Sequence, residues 1–467
     1  DSSAIDMLYF AEALKYEGEY DEAIKWYRKY NLRIPDDRRA AYQLENPEFL
    51  KDFYKDSADY KIKSLRVNTP NQEFGITKCN SKYLISYVGV ANPELGEKYN
   101  RKAREQDMYL DVYSFSRTSD NELVLEDWVD GGVNSKFHDG PVSFSKATGE
   151  LFITRNNVEK GKPVLDQNGK VNLKLYVSKL DGGIFGRVEE LPINSDDFSN
   201  AHPAISPDGN TLYFASNRDG GFGETDIYSI TRVDGKWSTP VNLGTVINTE
   251  GEECFPYVSE DGVLYFSSTG HAGAGGLDIF KSVMKSHSWM RPTNMGFPIN
   301  SRKDDFGPCL DPGNESGYVC SNRADNGSIQ DDIYYFQFNP TISIRVKVRA
   351  SGGLSFLDGS IARIYDDDAN LLFESKVDVD GAFDFSLIPD KCRYRVEITN
   401  SQEFSKEVHT IEYCDNRLTL YETGVIELVE LEYLAQGTIL NKLDMTPVKG
   451  FIASLYNAKT GELAKTI

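Results

Sequence analysis

Apolar positions in the first part of the chain recur at helical spacing: Ile5, Leu8, Ala11 and Leu14, then Ala23, Ile24 and Tyr27. That period places one face of a helix on a core. Gly18 breaks the two runs, so residues 1–58 read as a helix pair. From about residue 60 to 339 the period falls to two. Runs such as Leu212-Tyr213-Phe214-Ala215-Ser216 and Leu264-Tyr265-Phe266-Ser267-Ser268 alternate as strands with one buried face do. After Thr341 the alternation changes character, in Ile342-Ser343-Ile344-Arg345-Val346-Lys347-Val348 and Tyr394-Arg395-Val396-Glu397-Ile398, and residues 341–433 suit one β-sandwich. Gly437-Thr438-Ile439 through Leu455-Tyr456-Asn457 begins in the manner of that sandwich, so residues 434–467 read as the truncated start of a second.

The middle region repeats itself. A β-branched residue, then Asn, then Ser or Thr occurs at Val67-Asn68-Thr69, Val133-Asn134-Ser135, Ile193-Asn194-Ser195, Ile247-Asn248-Thr249 and Ile299-Asn300-Ser301, at intervals of 52 to 66 residues. Each copy is followed by a short strand, often carrying a proline (Pro141, Pro203, Pro256, Pro308), then by a turn such as Ser206-Pro207-Asp208-Gly209. An alternating second strand follows, then a third such as Asp226-Ile227-Tyr228, then a fourth that carries Trp237 or Trp289. Four strands per unit at such a period define a β-propeller. The last unit ends at Tyr334-Tyr335-Phe336-Gln337-Phe338 without a fourth strand, whereas Ile62 to Val67 is a fourth strand with no blade before it. Pairing the two closes the ring and removes an exposed sheet edge. Five blades result, or six if residues 36–60 hold a degenerate one. The fold class is mainly β: a short α-helical segment (1–58), a propeller (60–339) and a sandwich (341–433).

Composition narrows the function. Lys+Arg 51 against Asp+Glu 72 leaves a net charge of −21, which repels nucleic acid and anionic lipid. No stretch approaches the roughly 20 continuous apolar residues of a membrane-spanning helix. The five histidines are scattered, with no zinc spacing, and no G-x-S-x-G or Walker A loop occurs, so no catalytic, metal or cofactor site is expected. The Asp that recurs before the third strand (Asp111, Asp226, Asp278, Asp332) reads as an acceptor for backbone N–H groups of the preceding loop. Counting back three from each first-strand proline gives His138, Asn200, Glu253 and Asp305, with Gln72 as the first-blade counterpart. These are expected to ring one mouth of the axial channel, where a partner's Lys or Arg docks, or where water alone stands. Cys392 with Cys414, and Cys309 with Cys320, lie on neighbouring strands and could close disulfides in an oxidising compartment.

The run Gly18-Glu19-Tyr20-Asp21-Glu22-Ala23-Ile24-Lys25-Trp26-Tyr27 resembles the turn and second helix of a tetratricopeptide repeat. Residues 206–218 and the Asp-Ile-Tyr strand after them resemble the propeller repeats of TolB, and the sandwich resembles a carboxypeptidase regulatory-like domain. That order is similar to the PorE-like, OmpA-family periplasmic proteins of the Bacteroidetes type IX secretion and gliding systems. The resemblance implies a non-enzymatic scaffold, periplasmic and associated with the outer membrane. Its implied partners are protein components, among them a PorP-like barrel, and peptidoglycan bound by an OmpA-like domain beyond Ile467. The alternative is an enzyme, or a sugar- or peptide-binding propeller, with its pocket on the axis.

Overall fold

The computed structural model describes residues 3–45, 49–55, 57–88, 109–324 and 330–338, and in the remainder chiefly the strands. The chain divides into two compact units, Asp1–Phe338 and Asn339–Ile467.

The first unit opens with four helices rather than a pair: α1 (Ala4–Glu17), α2 (Tyr20–Arg33), α3 (Arg38–Glu45) and α4 (Phe49–Tyr54). Ser3 caps α1 by accepting from Asp6 N while Asp6 accepts from Ser3 N, and Gly18 ends it at φ 84°. Met7, Leu8, Ala11, Ala23, Tyr27 and Tyr30 form a core of the helices' own. Helices α3 and α4 occupy the stretch 36–60 in place of a sixth blade, and the described residues form five.

Each blade is an antiparallel sheet of four strands, to which blades two and three add a short fifth. Blade one runs Glu73–Cys79, Lys82–Val88, Leu110–Arg117, Leu123–Trp128. The first strands of blades two to five are Asp139–Ser145, Asn200–Ile205, Glu253–Val258 and Asp305–Leu310, and their third strands begin at Leu173, Asp226, Asp278 and Asp332. Where Trp237 and Trp289 were expected to carry the fourth strand, they instead lie in short hairpins, and the outer strand proper follows at Val241–Asn242 and Thr293–Asn294.

The ring closes as the sequence implied. Tyr60–Ser64 pairs antiparallel with Asp332–Phe338, setting Ile62 opposite Phe336. The strand ends at Ser64 rather than Val67 because the chain turns at Arg66 and Val67.

In the second unit, Ile342–Ala350, Ala382–Leu387 and Leu420–Leu428 form one sheet, and Ile361–Tyr365, Leu371–Lys376, Arg393–Thr399 and Glu407–Glu412 another. Ala362, Ile364, Val396 and Ile398 are fully buried on one face of the latter. That is the pattern of a sheet covered by a second layer. Of residues 434–467 the described part is a hairpin of Ser454–Tyr456 and Leu463–Thr466.

Candidate functional site

The repeated Asn-Ser/Thr pairs build the centre of the propeller. Each Asn brackets one residue of a third strand, accepting from its N–H and donating to its carbonyl: Asn134 with Val112, Asn194 with Leu175, Asn248 with Ile227, Asn300 with Ile279, and Asn68 with Ile333. A side-chain amide thus continues the ladder where the short outer strand stops. The following Ser or Thr donates its backbone N–H to the carboxylate that opens the next first strand: Thr69 to Glu73, Ser135 to Asp139, Thr249 to Glu253 and Ser301 to Asp305.

The polar ring is therefore Glu73, Asp139, Asn200, Glu253 and Asp305, each 0% exposed. Asn200, Glu253 and Asp305 are ring members as counted, but buried ones, so they offer a partner no mouth to dock in. Gln72 and His138 are not members. Gln72 is exposed, and His138 is half-buried, its Nδ1 accepting from Leu110 N at 3.1 Å. Blade two breaks the spacing because Asp139 stands two positions before Pro141, whereas in blades three to five the ring residue stands three positions before the proline. Blade one has Ile76 where the others have proline, and so had no marker.

The ring is satisfied from the second strands. Arg155 pairs with Asp139, and Arg323 with Asp305, and each guanidinium also donates to the carbonyl before its blade's Asn, at Val133 and Ile299. These arginines lie over Tyr176 and Tyr334 of the third strands, with 5.2 and 5.0 Å to the ring centroids. Blade four differs. Gly270 stands where Arg323 does, and a Cβ there would meet Thr249 Oγ1 at 1.8 Å. His271 takes over, contacting the Ile247 carbonyl through Nε2 at 2.8 Å and lying 5.2 Å from Phe280. Among the described residues no cation pairs with Glu253, which relies on Ser268 and Thr249 hydroxyls, both at 2.6 Å, and burial pushes it up to about 7. Burial likewise pushes Glu73 up to about 7.

Each first strand carries a bulge after its ring residue. Gly75, Gly140 and Gly307 hold positive φ in these bulges, and His202 (φ 52°) and Phe255 (φ 48°) do so without being glycine. The cost of about 1–3 kcal/mol for each such residue is met by surrounding contacts. His202 N donates to Thr154 Oγ1 at 3.0 Å, and its ring stacks on Phe255 at 3.8 Å. Phe255 in turn meets Phe306 at 4.6 Å and Phe74 at 6.2 Å. The cavity these bulges line holds about 40 Å³, little more than one water's share of liquid.

The recurring third-strand Asp behaves as expected in blades three and four. Asp226 accepts from Phe222 N (2.7 Å) and Gly223 N (3.1 Å), and Asp278 from Gly275 N (3.1 Å). Acid that is reachable at this end of the axis lies one residue before the ring or at the loop ends. Exposed Glu224 and Glu252 and half-buried Asp304 and Asp331 carry it. Burial and then Asp304 push Asp331 up to about 6, and burial, then Glu224 and Asp304, raise Glu252. Sequence counting missed these positions because it fixed on the ring itself.

The helices dock on the same end. Arg38 pairs with Glu250 and donates to the carbonyls of Thr245 and Asn248 at 2.5 and 3.0 Å. Tyr42 stacks on His271 at 5.4 Å, and Tyr20 Oη donates to the Ala274 carbonyl at 3.2 Å. Between α3, α4 and blade four lies a cleft of about 480 Å³ lined by Tyr42, Phe49, Phe53, His271, Arg291 and Phe297 among others.

Of the cysteines, Cys309 and Cys320 are separate buried thiols. Cys309 faces Tyr318 and Cys320 faces Phe306 across the ladder, so the two stand out of register for the expected disulfide. Cys392 and Cys414 lie outside the described residues. Among the described residues no group of three or more His, Cys, Asp or Glu is placed to hold a metal ion, and no helix is long and apolar enough to cross a membrane.

No family model matches the chain, and no curated protein matches it. Among solved structures, a protein described as TolB from Agrobacterium tumefaciens is similar at 18% identity, covering 70% of this chain and 96% of that one with a TM-score of 0.35. An alpha-L-arabinofuranosidase from Lactobacillus brevis is similar at 11% identity over 65% and 94% of the two chains, with a TM-score of 0.36. The family 117 glycoside hydrolase Zg3597 from Zobellia galactanivorans is similar at 13% identity over 60% and 90%, with a TM-score of 0.37. The propeller assignment stands on the strand pairing given above.

Proposed function

We propose that the chain is a non-enzymatic binding scaffold of the periplasm, associated with the outer membrane, that links components of a type IX secretion or gliding machine to peptidoglycan. The observation that supports this reading is the state of the propeller's centre. Its ring carboxylates are held by backbone N–H groups, hydroxyls and arginines, and aromatic rings fill the axis. Polar groups committed to internal bonds are poor acids and bases for substrate. Binding is left to the loop faces, where the acidic positions Glu224, Glu252, Asp304 and Asp331 suit a partner's Lys or Arg. The helical segment, resembling a tetratricopeptide unit, and the regulatory-like sandwich are the kinds of module such assemblies use to hold neighbours. The partner this reading expects is a PorP-like outer-membrane barrel.

The test is affinity capture of the chain from detergent-solubilised cell envelope. Recovery of a membrane barrel, lost on substituting Glu252 and Asp304 together by Ala, supports the scaffold. Recovery of the chain alone, with hydrolytic activity on glycans, contradicts it.

A further inference from the structure

In blades two and five the second-strand arginine meets an aspartate, Arg155 with Asp139 and Arg323 with Asp305. Blade three keeps the arginine but not the acid. Arg218 has Asn200 in the aspartate's place and donates Nη2 to its Oδ1 at 2.7 Å and Nε to Ser216 Oγ at 3.0 Å. Asn200 also takes the carbonyl that the arginine reaches in the sister blades, donating Nδ2 to Ile193 O at 3.1 Å. The guanidinium is thereby displaced from its usual acceptors. Among the described residues Nη1 has no hydrogen-bond partner, and no carboxylate pairs with Arg218. The cation is half-buried among aromatic rings, with Phe198 at 4.8 Å, Tyr228 at 4.9 Å and Phe214 at 5.5 Å from its carbon. Burial lowers its proton affinity, as befits a charge that lacks a counterion.

A half-buried guanidinium walled by aromatic rings has given up part of its hydration and is left with a full charge and a free donor edge, which favours an anion beside it. Arg323 at the same position in blade five, and Arg155 from two positions earlier in blade two, show which anion the fork takes. A monoanionic carboxylate also suits a single cation on a chain of net charge −21 better than a phosphate dianion would.

We propose that Arg218 is a binding site for a carboxylate supplied by a peptide of another molecule, with Phe198 and Tyr228 walling the guanidinium. The site does not depend on the scaffold reading and would serve a binding protein of any kind.

The probes are acetyl-Gly-Phe with a free C-terminal carboxylate, acetyl-Asp-amide, and acetyl-Gly-Phe-amide, titrated while following the Arg218 Nε–H resonance of the full chain. Either carboxylate probe should move that resonance saturably, and the neutral amide should bind more weakly by about tenfold or more, the worth of a charged hydrogen bond. Which of the two carboxylates binds tighter separates a chain terminus from a side chain as the source. Asn200→Asp restores the sister blades' ion pair without removing the arginine. It should raise the melting temperature and abolish the titration. An unchanged titration in Asn200→Asp, equal binding of the amide, or no response to either carboxylate would overturn the proposal.

Discussion

The side chain of Asn68 brackets the backbone of Ile333, a residue 265 positions later: Oδ1 accepts from its N–H and Nδ2 donates to its carbonyl, both at 2.9 Å. Four other Asn residues make the same two bonds, but each does so to a third strand in its own stretch of sequence. Only Asn68 does so across the closure, beside the ladder of Tyr60–Ser64 on Asp332–Phe338. The repeat that marks the blades is thus also the fastener that shuts the ring.

Asn68→Ala should lower stability by about 1–3 kcal/mol, because it leaves the Ile333 N–H without a partner and the Ile333 carbonyl with Leu65 N alone. Asn248→Ala, at a fully buried copy, should cost more. Urea midpoints would rank the two. Amide exchange at residues 60–64 should rise in the first variant and stay unchanged in the second.

Stability should fall as pH rises. Burial pushes Glu73, Asp111, Glu253 and Asp278 up to about 7 each, whereas unfolded carboxyls titrate near 4. The folded chain therefore holds protons that the unfolded chain has released, and this stabilisation is complete below about pH 4 and lost as pH passes 7. His202 and His271, pulled down to about 3 and about 4 by burial, act in the opposite sense below about pH 6.5 and partly offset the decline there, so the net fall is clearest between about pH 6 and 7.5 and levels off above about pH 8. Melting temperatures from pH 6.5 to 8.5 should drop, and Glu253→Gln should flatten the curve. A flat or rising wild-type curve would contradict these assignments.

The helices should loosen without loss of the propeller when their main anchor is cut. Arg38→Ala removes the Glu250 pair and two carbonyl contacts, yet α1 and α2 keep their own core. Limited proteolysis should then cut within residues 34–60 faster, while the main unfolding transition shifts by no more than about 1–2 kcal/mol. Coincident loss of both would show the helices to be part of one cooperative unit.

Cys309 and Cys320, pushed up to about 12 by burial, should resist iodoacetamide at pH 8 in the folded chain and react only in denaturant. Peptide mapping reads this directly. A linked Cys309–Cys320 peptide would contradict the register.

Much of the ring was legible because the Asn-Ser/Thr pairs do the same chemistry in every blade and so recur in the sequence. The closing strand was legible from an imbalance, one strand too many at the start and one too few at the end. The polar ring was legible only in blades three to five, where a proline marks the bulge at a constant offset. It was misplaced in blade one, which has Ile76, and in blade two, which has one residue fewer before Pro141. The burial of the ring was not legible at all, since it depends on Arg155 and Arg323 arriving from neighbouring strands. Phe74 and Phe306 directly follow their acids, and that recurrence could have announced the aromatic plug. Helices α3 and α4, of 8 and 6 residues, are too short for periodicity to declare.

The closure itself is tested most directly by cross-linking. Lys61 and Gln337 are register partners in the closing pair and both are exposed. Cβ atoms of directly opposed residues lie about 4.5–5.5 Å apart, close enough for a small adjustment to bridge them. Lys61→Cys with Gln337→Cys should yield, on mild oxidation, a peptide linking the two positions and a chain that melts at higher temperature. Two cysteines that stay unlinked, or a bond from position 61 to any other cysteine, would contradict a five-bladed ring shut by Tyr60–Ser64.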